Sequence, residues 1–138
     1  MSSPSIRYDD AAVPDIVDVV ALYLANGWSS AQKPELLHKA LTNSHTLVTA
    51  WDGGTLVGLG NAISDGHLVV YYPHLLVLPA YHGCGVGRGI IERLKTRYAG
   101  FHQHMLVADR ATTAFYAKCG FTRAGDTQSM WIYAGDDH

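Results

Sequence analysis

The chain has 138 residues, of which 48% are hydrophobic and 16% charged, and its net charge is −2. That size suits one domain around a single core, and the composition is globular rather than disordered. The faintly acidic balance carries no basic stripe for nucleic acid, no apolar run nears the ~20 residues that span a bilayer, and the polar stretch Met1–Asp10 does not read as a secretory signal.

In chain order, Met1–Ser5 and Gly135–His138 read as loose tails. Ile6–Tyr8 suits a short strand. Val13, Ile16, Val17, Val20 and Leu24 recur at helical spacing, with Pro14 in the first turn and Asn26-Gly27 at the exit. A second helix starts near Pro34 and turns Leu36, Leu37, Ala40 and Leu41 inward. Thr46–Trp51 and Thr55–Ile63 form two strands joined by the hairpin residues Asp52-Gly53-Gly54. His67–Leu78 reads as one long strand, yet Pro73 in its middle has no N–H to give a ladder, which marks a bulge or a splayed neighbour. The glycine-rich stretch Gly83–Gly89 leads into a helix that runs to about Ala99, with Ile90, Ile91, Leu94 and Tyr98 as its apolar face. Phe101–Val107 is a strand, Asp109 can cap a helix over Arg110–Lys118, and Phe121–Arg123 and Gln128–Tyr133 are expected as final strands. This order predicts an α+β fold, an α/β sandwich with helices on both faces of one mixed sheet. Two cysteines, Cys84 and Cys119, are too few for a disulfide scaffold, so a cytoplasmic setting is expected.

The stretch Val77-Leu78-Pro79-Ala80-Tyr81-His82-Gly83-Cys84-Gly85-Val86-Gly87-Arg88-Gly89 joins a strand end to a helix start. Free N–H groups at a helix start carry partial positive charge, and glycines let a phosphate approach them. A nucleoside-triphosphate loop would need Gly-Lys-Ser/Thr, which is absent. A dinucleotide fingerprint needs glycines at i, i+2 and i+5, but the third position is Arg88 counted from Gly83 and Ile90 counted from Gly85. A plain strand-to-helix turn with no ligand remains the alternative.

His82-Gly83-Cys84-Gly85-Val86-Gly87 after Val77-Leu78-Pro79 resembles the cofactor motif of the GNAT superfamily of N-acetyltransferases, Gln/Arg-x-x-Gly-x-Gly/Ala, with His82 replacing Gln or Arg. Asp109-Arg110-Ala111-Thr112-Thr113-Ala114-Phe115-Tyr116-Ala117-Lys118-Cys119-Gly120-Phe121 resembles that family's second signature, with Asp109 where Asn is usual. Together the motifs cover about the last half of the chain. The resemblance implies a mostly antiparallel sheet with one splayed parallel pair, and acetyl-CoA as co-substrate, with no metal. It places the diphosphate on the main chain of residues 82–88, including Arg88. It offers the Leu76 and Val77 N–H groups to the acetyl oxygen and pantetheine arm, and makes Tyr116 the acid for the departing sulfur. Asp109 is open between a cofactor contact and a cap.

The amine attacks directly in this family, so Cys84 is not needed as a nucleophile. Trp28 and Tyr23, near the first helix exit, are expected to line the acceptor site, unless they are simply core, and Tyr72 is assigned with them. The bulge neighbourhood Tyr71-Tyr72-Pro73-His74 holds no carboxylate, so His74 is the candidate base, with Asp65, His67 or a water chain as alternatives. His74 can equally be a half-buried histidine with no such task. His102 and His104 alternate on one strand, but four ligands for a structural zinc do not assemble. The expected activity is N-acetylation of a small amine, an amino terminus or a lysine-type group; the alternative is a non-catalytic acyl-CoA sensor on the same fold, and a more distant one an unrelated nucleotide-binding domain. A homodimer is left open, and neither nucleic acid nor membrane is expected as a partner.

Overall fold

The computed structural model describes residues 5–136. The expected tails fall partly outside that range. Among the described residues six strands form one sheet: β1 (Arg7–Asp9), β2 (Thr46–Asp52), β3 (Thr55–Ser64), β4 (Val69–Tyr71), β5 (Leu75–Val77) and β6 (Gln103–Met105). Their order is β1-β2-β3-β4-β6, with β5 also paired to β3. Every pairing is antiparallel except β4 with β6.

Four α-helices among the described residues flank the sheet: α1 (Ile16–Ala25), α2 (Pro34–Thr42), α3 (Val86–Arg97) and α4 (Thr113–Lys118). One face buries Val19, Leu22, Tyr23, Leu37 and Leu41 of α1 and α2 against Leu47, Leu59 and Leu76. The other buries Ile90, Ile91 and Leu94 of α3 against Val48, Val57, Val70 and Tyr72. Helix α3 lies very close to β3, because a Cβ added at Gly60 would stand 2.7 Å from Ile90 Cγ2.

The apolar stripe of α1 differs from the sequence expectation. Val17 and Leu24 face solvent, and Pro14 precedes the helix instead of opening it. The segment IVDVVALYLA is apolar nearly all round, so its periodicity gives the helix but not the direction it faces. In α2 only Leu37 and Leu41 are buried, while Leu36 and Ala40 are exposed.

The long strand expected over His67–Leu78 is broken at the foreseen place. Ile63 pairs with Tyr71, and Gly60 pairs with Leu75. Tyr72, Pro73 and His74 therefore stand opposite only Asn61 and Ala62, a one-residue bulge. The extra residue changes which face the side chains meet. Val70 and Tyr72 pack on the α3 face, whereas His74 and Leu76 meet the α1 face.

The two final strands do not form: from Phe121 to Asp136 the described residues contain no strand. β propensity without a partner ladder leaves an extended segment, here with Met130, Trp131, Ile132 and Tyr133 exposed. The Trp131 and Tyr133 rings stack at 4.3 Å, and the Tyr133 hydroxyl lies 3.4 Å from Ser29 Oγ. The strand expected over Phe101–Val107 keeps only Gln103–Met105.

Candidate active site

The sheet opens where the bulge ends the parallel pairing. The Tyr72 N–H donates to the Met105 carbonyl at 2.9 Å, and the next residue is Pro73, which has no N–H. From there β5 follows β3 and parts from the β6 side. Its bonds to β3 run from the Leu78 N–H to the Val57 carbonyl (2.8 Å) and from the Asn61 N–H to the His74 carbonyl (3.1 Å). Bonding alternates along such a ladder, so His74, Leu76 and Leu78 turn their main-chain groups to β3, while Leu75 and Val77 turn theirs to the open edge. The expectation that Leu76 offers its N–H to a ligand is thus corrected. Val77 does face the opening, and Leu75 joins it, a role the sequence alone did not reveal because it follows from register.

Asn61 was also missed. Its side-chain Oδ1 accepts the His74 N–H at 3.0 Å, and its Nδ2 donates to Ser44 Oγ at 3.0 Å. This buried amide replaces the ladder bond that the bulge removes. An amide in the middle of the otherwise apolar run Leu56–Ile63 was the available signal.

Beyond β5 a short 3₁₀ turn, Pro79–Tyr81, leads to the glycine stretch. Gly83 and Gly85 have φ of +80° and +81°, the left-handed region that side chains resist, and a Cβ on either would stand in open space. Gly85 caps α3. Among the described residues, the N–H groups of Gly83, Gly85, Val86, Gly87 and Arg88 have no acceptor. The N–H groups of His82 and Cys84 are by contrast used internally, on the Pro79 and Tyr81 carbonyls, where they close the 3₁₀ turn and the turn after it. The His82 ring holds the turn on β5, with Nε2 3.0 Å from the Val77 carbonyl. Val86 buries its side chain under the sheet and leaves its N–H at the helix end. The unengaged donors suit a diphosphate, and they stand at the positive end of the α3 dipole.

Helix α4 lies against the start of α3: a Cβ on Gly87 would come 3.3 Å from Phe115 Cζ. Tyr116 follows Phe115 and packs edge-on against it and against Phe121. Burial, with smaller contributions from Cys119 and Asp109, pushes its phenol up to about 12, so it keeps its proton at neutral pH. Asp109 precedes a 3₁₀ turn, Arg110–Thr112, and makes no side-chain cap bond; its carbonyl accepts from the Thr112 N–H and hydroxyl.

On the α1 face three rings meet edge-on. Tyr23 and Trp28 lie 5.7 Å apart, Tyr23 and His74 5.5 Å, and Trp28 and His74 5.1 Å. The structure thus brings together Tyr23, Trp28 and His74, but not Tyr72. Tyr72 is buried on the opposite face with its hydroxyl 2.7 Å from His104 Nδ1. The face switch at the bulge separates two residues that an unbroken strand would place on one side. Asp65 spends its carboxylate on the N–H groups of His67, Leu68 and Val69, which hold it below the ordinary range. No group of three or more His, Cys, Asp or Glu side chains suited to a metal occurs among the described residues. No helix there is long and apolar enough to cross a membrane.

A sheet split at a bulge, with a glycine-turned helix start beside the split, is the frame of this α/β domain. The profile of the acetyltransferase (GNAT) domain matches residues 8–131, and the chain belongs to that family. A GNAT family protein of Streptococcus pneumoniae is similar in structure, with 28% identity over 94% of this chain and 98% of its own and a TM-score of 0.82. A protein of unknown function from methicillin-resistant Staphylococcus aureus gives 27% identity, 94% and 100% coverage and a TM-score of 0.82. The glucosamine-6-phosphate N-acetyltransferase of Arabidopsis thaliana shares the fold at 13% identity, with a TM-score of 0.69 over 94% and 99% of the two chains. A search of curated protein sequences finds no match. The family transfers acetyl groups and uses acetyl-CoA as co-substrate.

Proposed function

We propose that this chain is an N-acetyltransferase that moves the acetyl group of acetyl-CoA directly onto the amine of a small acceptor. The observation that carries the reading is the run of unengaged N–H groups at Gly83 and Gly85–Arg88, beside the unpaired edge of β5. Acetyl-CoA supplies a thioester whose carbon an amine can attack.

The protein's part is placement and proton control. The glycine turn would hold the diphosphate by main-chain donors. The N–H groups of Leu75 and Val77 would bind the pantetheine arm as a further strand would, and the one nearer the bulge would serve the acetyl oxygen. Tyr116 would give its proton to the leaving sulfur. The same burial that keeps the phenol protonated also disfavours a bare thiolate beside it, so donation relieves charge where it develops. Trp28, Tyr23 and His74 would form an aromatic wall for the acceptor, which suits a small amine.

The test is free-thiol release from acetyl-CoA across a panel of amines, run with a thermal-shift titration of CoA. Turnover with at least one amine is expected. Micromolar CoA binding with no turnover on any amine would replace this reading with the sensor, and stabilisation by NAD or ATP but not CoA would remove both.

A further inference from the structure

We propose that Tyr23 is a positioning residue that makes His74 a hydrogen-bond donor, and not the base, of the acceptor site; the assignment rests on the acetyl-transfer reading above. The Tyr23 hydroxyl lies 2.7 Å from His74 Nδ1, and its side chain is wholly closed to solvent. Among the described residues that nitrogen is the only hydrogen-bond partner of the hydroxyl. Two arrangements can make the bond. Tyr23 can donate to a bare Nδ1, which places the imidazole proton on Nε2. Alternatively Nδ1–H can donate to the phenol oxygen, which strands the phenol hydrogen in the core. The second leaves a buried donor unmet and is the costlier state. Burial also holds Tyr23 in its neutral form, so a phenolate acceptor is no way out. The ring is therefore kept as the Nε2–H tautomer, by a preference of about tenfold or more.

The ring has little freedom to escape this bond. Asn61 holds both main-chain groups of His74, and Tyr23 and Trp28 pack edge-on against the imidazole. His45 shows the contrast. The Tyr98 hydroxyl lies 2.6 Å from His45 Nδ1 but also 2.6 Å from Thr46 Oγ1, so it can donate to the threonine while accepting from the ring. A second partner frees the tautomer, and among the described residues Tyr23 has none. A nitrogen that already carries a proton cannot take one from an ammonium. His74 instead gives a hydrogen bond, and an acceptor with a carbonyl, carboxylate or hydroxyl oxygen near its amine is the class such a ring would hold. The amine's proton then leaves by water.

The test is a long-range ¹H–¹⁵N spectrum of histidine-labelled protein without ligand, recorded about two units above the ordinary imidazole pKa of ~6.5. The His74 signals are assigned by their loss in His74→Gln. A pyridine-type Nδ1 with a pyrrole-type Nε2 is expected, and the reverse pattern overturns the proposal. In Tyr23→Phe the two nitrogens should move toward averaged shifts; unchanged shifts overturn it. Should that variant fail to fold, the KM for the acceptor amine in His74→Gln against His74→Ala decides, because glutamine offers an N–H near the Nε2 position and alanine offers none. A KM lower in His74→Gln by about threefold or more supports the donor role, and any smaller or reversed difference sinks it. The spectrum needs no turnover. An inactive protein with the expected tautomer would therefore refute acetyl transfer while leaving the Tyr23–His74 assignment standing.

Discussion

Asn61 satisfies both main-chain groups of His74: its own N–H donates to the His74 carbonyl at 3.1 Å, and its side-chain oxygen accepts the His74 N–H at 3.0 Å. A bulge would ordinarily strip one ladder bond from the strand it bends. Here a side chain restores that bond in a buried position, so the sheet can open on one side without coming apart on the other.

Replacing Asn61 with alanine removes that acceptor and leaves the His74 N–H unmet. The expected loss is about 1–3 kcal/mol of folding stability, read from the midpoint of urea unfolding at unchanged slope. Ser44→Ala keeps the Asn61 acceptor on the His74 N–H and should lose less. Equal losses in the two variants would mean that this bond does not carry the effect.

Two glycines should fail in different ways. Gly85→Ala sets a Cβ in open space beside the unengaged amides at a φ of +81°, at a strain of about 1–2 kcal/mol. The KM for acetyl-CoA should rise about tenfold, with the melting temperature only modestly lowered. Gly60→Ala drives a Cβ to 2.7 Å from Ile90 Cγ2 and should cost about 1–3 kcal/mol of stability through overpacking. A calorimetric scan beside a KM measurement separates the two.

Tyr116→Phe should lower kcat by about 10²-fold or more, the ordinary worth of a positioned acid, with CoA affinity kept within about threefold. A kcat near wild type would remove Tyr116 from the proton path.

The same phenol links stability to alkaline pH. Its value is raised in the folded state from 10 to about 12. Below pH 10 both folded and unfolded chains hold the proton, and the contribution is fully present. Between 10 and 12 the unfolded chain releases it first, so stability falls as pH rises through this window. Burial shifts Tyr23 and Tyr72 in the same direction and adds to the slope. Urea midpoints from pH 9 to 11 should fall more gently in Tyr116→Phe than in wild type.

Trp28 packs edge-on against both Tyr23 and His74. Trp28→Ala should raise the KM for the acceptor amine about tenfold and leave that for acetyl-CoA unchanged. A rise confined to acetyl-CoA would put Trp28 on the wrong side of the cleft.

What the sequence determined by itself was local chemistry. Gly83 and Gly85 permit a left-handed turn, that turn frees the first amides of α3, and Pro73 forbids a ladder bond wherever the strand is placed; each follows from one residue's own backbone. The signature from Asp109 to Phe121 is likewise contiguous, and it pointed to the family before any contact was known. Only the tertiary structure decided which way things face. The one-residue bulge against Asn61 and Ala62 reverses the alternation of side chains, so Tyr72 goes to the α3 core while His74 meets Tyr23. Register with β3 turns the Leu76 amide inward and the Leu75 and Val77 amides outward. The segment at Gln128–Tyr133 has the pattern of a strand but gains no ladder, because strand formation is a property of two segments and a sequence displays them one at a time.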